Sequence, residues 1–268
     1  MAELYTAGSR QISVIMPALN EQDNVGLAIS NSLLAFEDLG INGEIIVIND
    51  GSTDRTGDIV EEFVREDKRV TMVEHSKPMG IGASFWDGVR HATGECVCML
   101  PGDNENDPWD ILRYVPLLKH VDIVIPFVFN KEVRSVFRNI LSFVYRTIIN
   151  TTFLVNFNYT NGTVIYRKSL LDGLDFQSSG FFFQTDILIR TTKQDYLFAE
   201  VPVKLGRRPE GVSKALSFPS LIQVVRGYFQ LLRNIYFPGP KVSNNGFAAG
   251  SASARRRSSN KATTPWVK

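Results

Sequence analysis

Carboxylate side chains follow an apolar run near the middle of the chain, Cys96–Leu100. Asp103, Glu105 and Asp107 come directly after this run. Carboxylate oxygens are the ligands that Mg²⁺ and Mn²⁺ prefer, so the cluster predicts a divalent cation that bridges a diphosphate. The simpler alternative is a solvated acidic loop in which Asp107 caps a helix beginning at Pro108.

Two other apolar runs also lead into polar segments. Ile12–Met16 is followed by Pro17-Ala18-Leu19-Asn20-Glu21, and Glu44–Ile48 by Asn49-Asp50-Gly51-Ser52-Thr53-Asp54. The first segment lacks the glycines of a dinucleotide-binding turn, which argues against a dehydrogenase. Asp50 lies where a carboxylate can accept hydrogen bonds from a ribose or a base. Alternatively, Asn20 or Glu21 and Thr53 or Asp54 cap the helices that follow.

Gly80 and Gly82 follow a fourth apolar run, Val70–Glu74, and open a helical pattern. Glycines let the backbone approach a ligand closely, and a helix N-terminus favours anionic groups. A Gly-x-Gly pair is weak evidence by itself.

The elements that must position these residues alternate between strands and helices. Strands without polar alternation, separated by helices, are typical of a parallel sheet covered on both faces, which binds ligands at the carboxyl ends of its strands. The predicted strands are Ile12–Met16, Glu44–Ile48, Val70–Glu74, Cys96–Leu100 and Val121–Ile125, and the predicted helices are 21–39, 54–66, 82–92 and 108–118.

The second half of the chain is less regular. It predicts helices over 132–150, 183–192 and 221–236 and strands over 164–166 and 197–203. Two of these helices, 132–150 and 221–236, are amphipathic. Arg134 and Arg138 lie one helical turn apart and could meet an acceptor phosphate. The alternative is that both amphipathic helices simply pack on the sheet.

Charge divides the chain unevenly. Six of the 29 basic residues and none of the 28 acidic residues follow Pro238, which leaves 23 basic residues and a net charge of −5 up to that point. A mildly acidic body argues against nucleic acid as a partner. The composition of 238–268 predicts a disordered basic tail.

Cys96 and Cys98 are expected to be core thiols in a reducing compartment. No apolar run is long enough to span a bilayer.

Together these motifs resemble the inverting glycosyltransferases of family two, and within them the dolichyl- or polyprenyl-phosphate mannosyl- and glucosyltransferases. The resemblance covers about 10–235. It includes the segments 17–21 and 50–54, Gly80 to Gly94, and Asp103. It continues with Phe182-Phe183-Gln184-Thr185-Asp186, Glu200-Val201-Pro202-Val203, and Arg208-Pro209-Glu210-Gly211-Val212-Ser213-Lys214.

The resemblance implies a GT-A fold, a Rossmann-like α/β nucleotide-sugar-binding domain over 1–237. Its nucleotide-binding half would be about 10–125 and its acceptor half about 126–237. Asp103 and Glu105 would bind Mg²⁺ or Mn²⁺, Arg208 and Lys214 would contact the diphosphate, and Asp186 would lie near the acceptor. The nucleotide-binding residues would be Pro17, Ala18, Asn20, Glu21, Asp50, Gly80 and Gly82.

Three departures from the family pattern involve four residues. Pro101 replaces the first Asp of Asp-x-Asp, Glu105 stands where close relatives often have Gln, and the segment Asp-x-Thr-Ser-Gly has Asn158 for Asp and Asn161 for Ser. The expected reaction is sugar transfer from a nucleotide diphosphate sugar to a polyprenyl phosphate. It would take place on the cytoplasmic side, with peripheral contact at a membrane surface. The alternatives are a saccharide acceptor and a non-catalytic nucleotide-sugar-binding protein.

Overall fold

The structure is a computed structural model that describes residues 10–130, 136–174, 178, 180–204, 218–237 and 246–263. Its strands form one seven-stranded sheet. In chain order they are β1 (Ile12–Ala18), β2 (Gly43–Asn49), β3 (Val70–Glu74), β4 (Cys96–Met99), β5 (Ile123–Val128), β6 (Ile165–Arg167) and β7 (Phe198–Val203).

The sheet has the strand order β3-β2-β1-β4-β6-β5-β7. The short strand β6 runs antiparallel to both neighbours, and the other pairings are parallel. The predicted, mostly parallel sheet is therefore confirmed. Cys96 and Cys98 are buried free thiols in β4, and burial raises the pKa of Cys96 to about 12.

Helices cover both faces of the sheet, as predicted, because alternate side chains of each buried strand point to opposite sides. Ile12, Val14 and Met16 of β1 pack in one hydrophobic cluster, and Ile15 packs in the other. The helices are α1 (Val25–Asp38), α2 (Thr56–Glu66), α3 (Ile81–His91), α4 (Pro108–Leu112), α5 (Val136–Phe153), α6 (Lys168–Asp172), α7 (Phe183–Lys193), α8 (Phe218–Tyr236) and α9 (Ala252–Thr263).

The helix predicted over 108–118 is interrupted. Helix α4 ends at Leu112, and a separate 3₁₀ helix spans Val115–Lys119. Pro116 lies in this second piece, and a proline inside a helix removes one backbone hydrogen bond and clashes with the preceding turn. Asp107 caps α4 by accepting a hydrogen bond from the backbone N–H of Trp109 (2.9 Å).

The C-terminal segment departs from the predicted disorder. Within 238–268, residues 246–263 are described, and α9 forms there. The fully buried carboxylate of Asp122 accepts hydrogen bonds from the backbone N–H groups of Ala252 (2.6 Å) and Ser253 (3.1 Å), at the N-terminus of α9. Phe247 packs edge-on against Tyr196. Composition alone could not reveal these partners, because they lie more than 50 residues away in sequence.

Helices α5 and α8 lie against each other on the side of the sheet that also carries α3 and α7. The hydroxyl oxygens of Thr152 and Tyr228 are 2.8 Å apart, and the Tyr236 hydroxyl donates to the Thr152 carbonyl. Ile149, Phe153 and Leu231 anchor the pair in the core. No helix within the described ranges is both long enough and apolar enough to cross a bilayer.

Candidate active site

The segments that follow β1 and β2 are joined by hydrogen bonds at the carboxyl edge of the sheet. The backbone N–H of Asn20 donates to the Ser52 hydroxyl (3.0 Å), and the Asn20 side-chain oxygen accepts from the backbone N–H of Thr53 (2.9 Å). The backbone N–H of Glu21 donates to the Thr56 hydroxyl (2.8 Å). Asn20 thus connects two loops instead of capping α1, a role that the sequence left open.

Asp50 lies at the centre of this edge and is almost fully buried. Its Oδ1 accepts a hydrogen bond from the backbone N–H of Met79 (2.7 Å), and its Oδ2 from that of Gly80 (2.9 Å). The ring of His75 provides a third contact, with Nδ1 2.7 Å from Oδ1. A carboxylate has about four lone-pair directions, so Asp50 shapes the glycine turn with three of them and keeps one for a ligand.

The glycine turn itself requires an unusual backbone. Gly80 has a φ of 93° and precedes α3, while Gly82 is buried in the first turn of that helix. Gly51 has a φ of 71°, and a Cβ there would lie 2.6 Å from the carbonyl carbon of Lys77. The loop after β2 and the loop after β3 therefore pack backbone against backbone, which only glycine permits.

The loop that follows β4 carries Asp103 and Glu105 and lies against the C-terminal end of β1. Gly102 donates its backbone N–H to the Pro17 carbonyl (3.0 Å). A Cβ at Gly102 would lie 3.2 Å from the Cβ of Ala18, so this loop is in close contact with the end of β1. The structure thereby brings the predicted metal residues next to the predicted nucleotide residues.

Asn104 lies between the two carboxylates and has a φ of 54°. Its side-chain oxygen accepts a hydrogen bond from Nδ2 of Asn31 in α1 (3.1 Å), and the backbone N–H of Glu105 donates to Asp103 Oδ1 (3.1 Å). Positive φ is uncommon outside glycine, and asparagine is among the residues that tolerate it best. Helix α1 therefore helps to fix the turn that carries Asp103 and Glu105.

The two carboxylates of this turn are suited to a divalent cation that also binds substrate phosphates. Asp103 and Glu105 are half-buried and offer hard carboxylate oxygens. Across the described part of the chain, no group of three or more His, Cys, Asp and Glu side chains is arranged to hold a metal. Mg²⁺ is commonly bound by one or two carboxylates plus substrate phosphates, so these residues fit a cation whose coordination a diphosphate completes.

Asp186, the acidic residue predicted near the acceptor, lies in the first turn of α7 and is buried. Its Oδ2 accepts a hydrogen bond from Nε of Arg190 (2.8 Å). Burial raises the pKa of Asp186, and the Arg190 guanidinium acts in the opposite direction without cancelling the shift. The carboxylate is thus paired within its own helix.

Two further sets of contacts connect elements in the second half of the chain. The Tyr145 hydroxyl of α5 is 2.9 Å from the Thr185 hydroxyl of α7, which donates in turn to the side-chain oxygen of Asn161 (3.1 Å). Asn158 donates its backbone N–H to Glu200 Oε1 (2.6 Å) and its Nδ2 to Glu200 Oε2 (2.7 Å). Both asparagines that depart from the family pattern are therefore engaged with neighbouring elements.

Not every predicted site residue can be placed. Arg134, Arg208 and Lys214 lie outside the described residues. Arg138 is a partly exposed residue of α5. His75 was not among the predicted site residues, although it directly follows β3, at the strand ends where such sheets bind ligands.

Comparison with known families decides how this edge is interpreted. A family model described as glycosyl transferase family 2 matches residues 13–175, which include all four loops. The chain belongs to glycosyl transferase family 2. A curated relative, undecaprenyl-phosphate 4-deoxy-4-formamido-L-arabinose transferase from Edwardsiella ictaluri, is 32% identical over 105 residues, or 39% of this chain. The matched region spans about a third of that relative, 32% of its length.

Solved structures share the fold of this family 2 chain. A mycobacterial protein matches with a TM-score of 0.66 and 20% identity, over 84% of this chain and 76% of its own. Glucosyl-3-phosphoglycerate synthase from Mycobacterium tuberculosis, in complex with Mg²⁺ and uridine diphosphate, matches with a TM-score of 0.62 and 20% identity, over 85% and 79%. At this identity the likeness concerns the fold, and the predicted GT-A fold is confirmed.

Proposed function

We propose that the chain is an inverting glycosyltransferase that moves a sugar from a nucleotide diphosphate sugar to a polyprenyl phosphate. The observation that carries the proposal is the convergence of four loops at one sheet edge, with Asp103 and Glu105 beside the Pro17–Ala18 segment, in a family 2 chain. In the reaction an acceptor oxygen attacks the anomeric carbon, and the bond from that carbon to the diphosphate breaks on the opposite face.

The nucleotide end of the substrate would lie along the joined loops. We assign Pro17, Ala18, Asn20, Glu21 and Asp50 to the nucleoside, with Gly80 and Gly82 shaping the turn beside it. Asp103 and Glu105 would bind Mg²⁺ or Mn²⁺, which would offset charge on the diphosphate. Glucosyl-3-phosphoglycerate synthase, which has the same fold, was solved with Mn²⁺ and uridine-diphosphate-glucose, and this supports a metal-dependent nucleotide sugar as the donor.

Arg208 and Lys214 are assigned to the leaving diphosphate, because fixed cations stabilise negative charge that accumulates on a leaving group. Lys214→Ala should lower kcat by roughly 10²–10³-fold without unfolding the protein. Steady-state kinetics and a thermal melt of the same preparation test this. A kcat equal to that of the wild type would remove Lys214 from the mechanism.

The acceptor is assigned from its chemistry and from the relative. A phosphate is already ionised at neutral pH and needs little help from a base, which suits a site whose nearest predicted acid, Asp186, is buried and bound to Arg190. The Edwardsiella relative is named for undecaprenyl phosphate. Arg134 and Arg138 are the candidates to meet the acceptor phosphate.

The surface of α5 and α8 supports a lipid acceptor. The two helices contain Arg138, Arg146, Arg226 and Arg233 and no acidic residue. A large exposed apolar patch marks an interaction site, and arginines favour an anionic lipid surface. We infer that this α5–α8 face rests on a membrane. Its exposed apolar side chains are Val136, Phe137, Ile140, Leu141, Phe143, Val144 and Ile148 of α5, and Leu221, Ile222, Val225, Phe229 and Tyr236 of α8.

A turnover assay tests the function. The purified chain is incubated with Mn²⁺, a panel of nucleotide sugars and either a short polyprenyl phosphate or an oligosaccharide. We expect transfer to the polyprenyl phosphate. Transfer only to the saccharide would favour synthesis of a cell-surface polysaccharide, and nucleotide-sugar binding without transfer would favour the non-catalytic alternative.

The metal assignment has its own test. Asp103→Ala should abolish the Mn²⁺-dependent part of nucleotide-sugar binding, because one of two carboxylate ligands is lost. Isothermal titration with and without Mn²⁺ measures this. Asp107→Asn is the matched control, since Asp107 lies in the same loop and asparagine also caps helices well. Metal-dependent binding by Asp103→Ala at wild-type strength would refute the assignment.

A further inference from the structure

A chain of polar contacts runs from the carboxyl edge of the sheet to the surface of α3. The ring of His75, 10% exposed, lies between two carboxylates on different elements. Its Nδ1 is 2.7 Å from Asp50 Oδ1, and its Nε2 is 2.9 Å from Asp87 Oδ2. Arg90 forms an ion pair with the other oxygen of Asp87. We call these four residues, Asp50, His75, Asp87 and Arg90, the His75 relay.

The relay ends on the residue that shapes the glycine turn. Asp50 accepts the backbone N–H groups of Met79 and Gly80, and these two contacts define how the turn enters α3. His75 itself is held in place by its backbone N–H, which donates to the Asn49 carbonyl (2.9 Å). The imidazole is contacted at both ring nitrogens, so we expect the orientation of Asp50 to depend on it.

We propose that His75 is a positioning residue for the nucleotide. It holds Asp50 in the orientation that forms the glycine turn, and it anchors that orientation on α3 through Asp87. The proposal rests on the proposed binding of a nucleotide sugar at this edge. It assigns to His75 a role that acts through Asp50 on donor affinity and not on the acceptor.

Hydrogen-bond chemistry makes the relay testable residue by residue. Ionised carboxylates only accept hydrogen bonds, and a neutral imidazole has a single N–H, so only a protonated ring donates to both Asp50 and Asp87. An amide at position 87 can donate to the second ring nitrogen instead. Asp87→Asn should therefore keep the relay connected, whereas Asp87→Ala should break it.

The experiment measures nucleotide binding and kinetics in the full chain. Uridine and guanosine diphosphates with Mn²⁺ are the probes for calorimetry, and the nucleotide sugar that supports turnover is used for KM and kcat. We expect His75→Ala to weaken nucleotide binding and raise the donor KM by roughly tenfold, as loss of a charge-assisted hydrogen bond implies. The acceptor KM should stay unchanged and kcat should change much less than the donor KM.

Matched variants separate positioning from general stability. Asp87→Ala should reproduce the loss of affinity from the far side of the ring, and Asp87→Asn should restore most of it. His91→Gln is the control, because His91 is an exposed histidine of the same helix whose Nδ1 lies 2.9 Å from the Asp87 carbonyl oxygen, away from His75. Thermal melts identify any variant that fails to fold, and Asp87→Ala then replaces His75→Ala as the decisive variant.

Two outcomes would overturn the inference. Wild-type nucleotide affinity in folded His75→Ala would show that Asp50 does not need the ring. Equal losses in Asp87→Asn and Asp87→Ala would show that the relay does not act through hydrogen bonding. If the wild-type chain binds neither diphosphate, the proposed function fails first, and that result is distinct from failure of the relay.

Discussion

At the scale of single residues, Asn158 and Glu200 form a matched pair. The asparagine donates twice to one carboxylate, and Arg146 donates to the Asn158 carbonyl (3.1 Å). An aspartate at 158, as in the family pattern, would place a second carboxylate against Glu200. The asparagine that departs from the pattern thus supplies the hydrogen-bond donors that the Glu200 carboxylate on β7 accepts.

This pairing predicts the effect of restoring the family residue. Asn158→Asp should lower the free energy of unfolding by about 1 kcal/mol at neutral pH, because like charges meet and one hydrogen bond is lost. The loss should shrink in acid, where a carboxyl proton restores a donor. Chemical denaturation at two pH values measures it. Adding Glu200→Gln should recover the stability, and failure to do so would contradict the pairing.

At the scale of elements, α9 is attached through its N-terminus. Asp122 is fully buried beneath that end, where a negative charge is favoured by the exposed N–H groups of a helix. The Ser253 hydroxyl also donates to this carboxylate, and Arg255 donates to the Lys119 carbonyl (3.0 Å). The segment is therefore part of the folded domain.

Removing this anchor should destabilise the whole domain. We expect Asp122→Ala to lower the free energy of unfolding by about 2–3 kcal/mol, since it leaves buried donors without an acceptor. A chain ending at Phe237 should lose a similar amount, and the two changes should be less than additive because they remove the same contacts. Asp172→Ala, at an exposed ion pair, is the control. Full additivity in urea denaturation would show that α9 is not held by Asp122.

At the scale of the whole molecule, two surfaces could meet a membrane. One is the α5–α8 face, where Phe137 and Phe229 are 70% and 61% exposed. The other is the basic C-terminal segment, whose described exposed arginines are Arg256 and Arg257. In the structure the segment is anchored at Asp122, which precedes β5 and so lies at the amino edge of the sheet, opposite the candidate site.

Vesicle co-sedimentation distinguishes the two surfaces. Phe137→Gln with Phe229→Gln should weaken binding to anionic vesicles by about tenfold or more, because two aromatic rings that would be buried in the bilayer on binding are lost. Arg256→Gln with Arg257→Gln should have a smaller effect, about 1 kcal/mol per charge at most, that disappears in high salt. Leu27→Gln is the control, because Leu27 is an apolar residue of α1 that is 58% exposed. Equal binding by the face variant and the wild type would exclude the α5–α8 face.

Much of the fold and of the candidate site could be predicted from local pattern. Strands β1 to β4 and helices α1 to α3 were predicted to within a few residues, because buried parallel strands are continuous apolar runs and the helices between them have a clear period. The motifs after β1, β2 and β4 were recognised for the same reason. Pro116 and α9 were missed or misread, since one is a local interruption and the other depends on distant partners.

The sequence alone determined which groups the candidate site contains: carboxylates at Asp103 and Glu105, loops of glycine and asparagine, and an order of motifs specific to one family. Only the tertiary structure decided how those groups are used. It turned Asp50 inward onto the glycine turn, joined Asn20 to the second loop and placed His75 between two carboxylates. Hydrogen bonds between residues far apart in sequence leave no periodic signal, so they become visible only when the sheet brings the strand ends together.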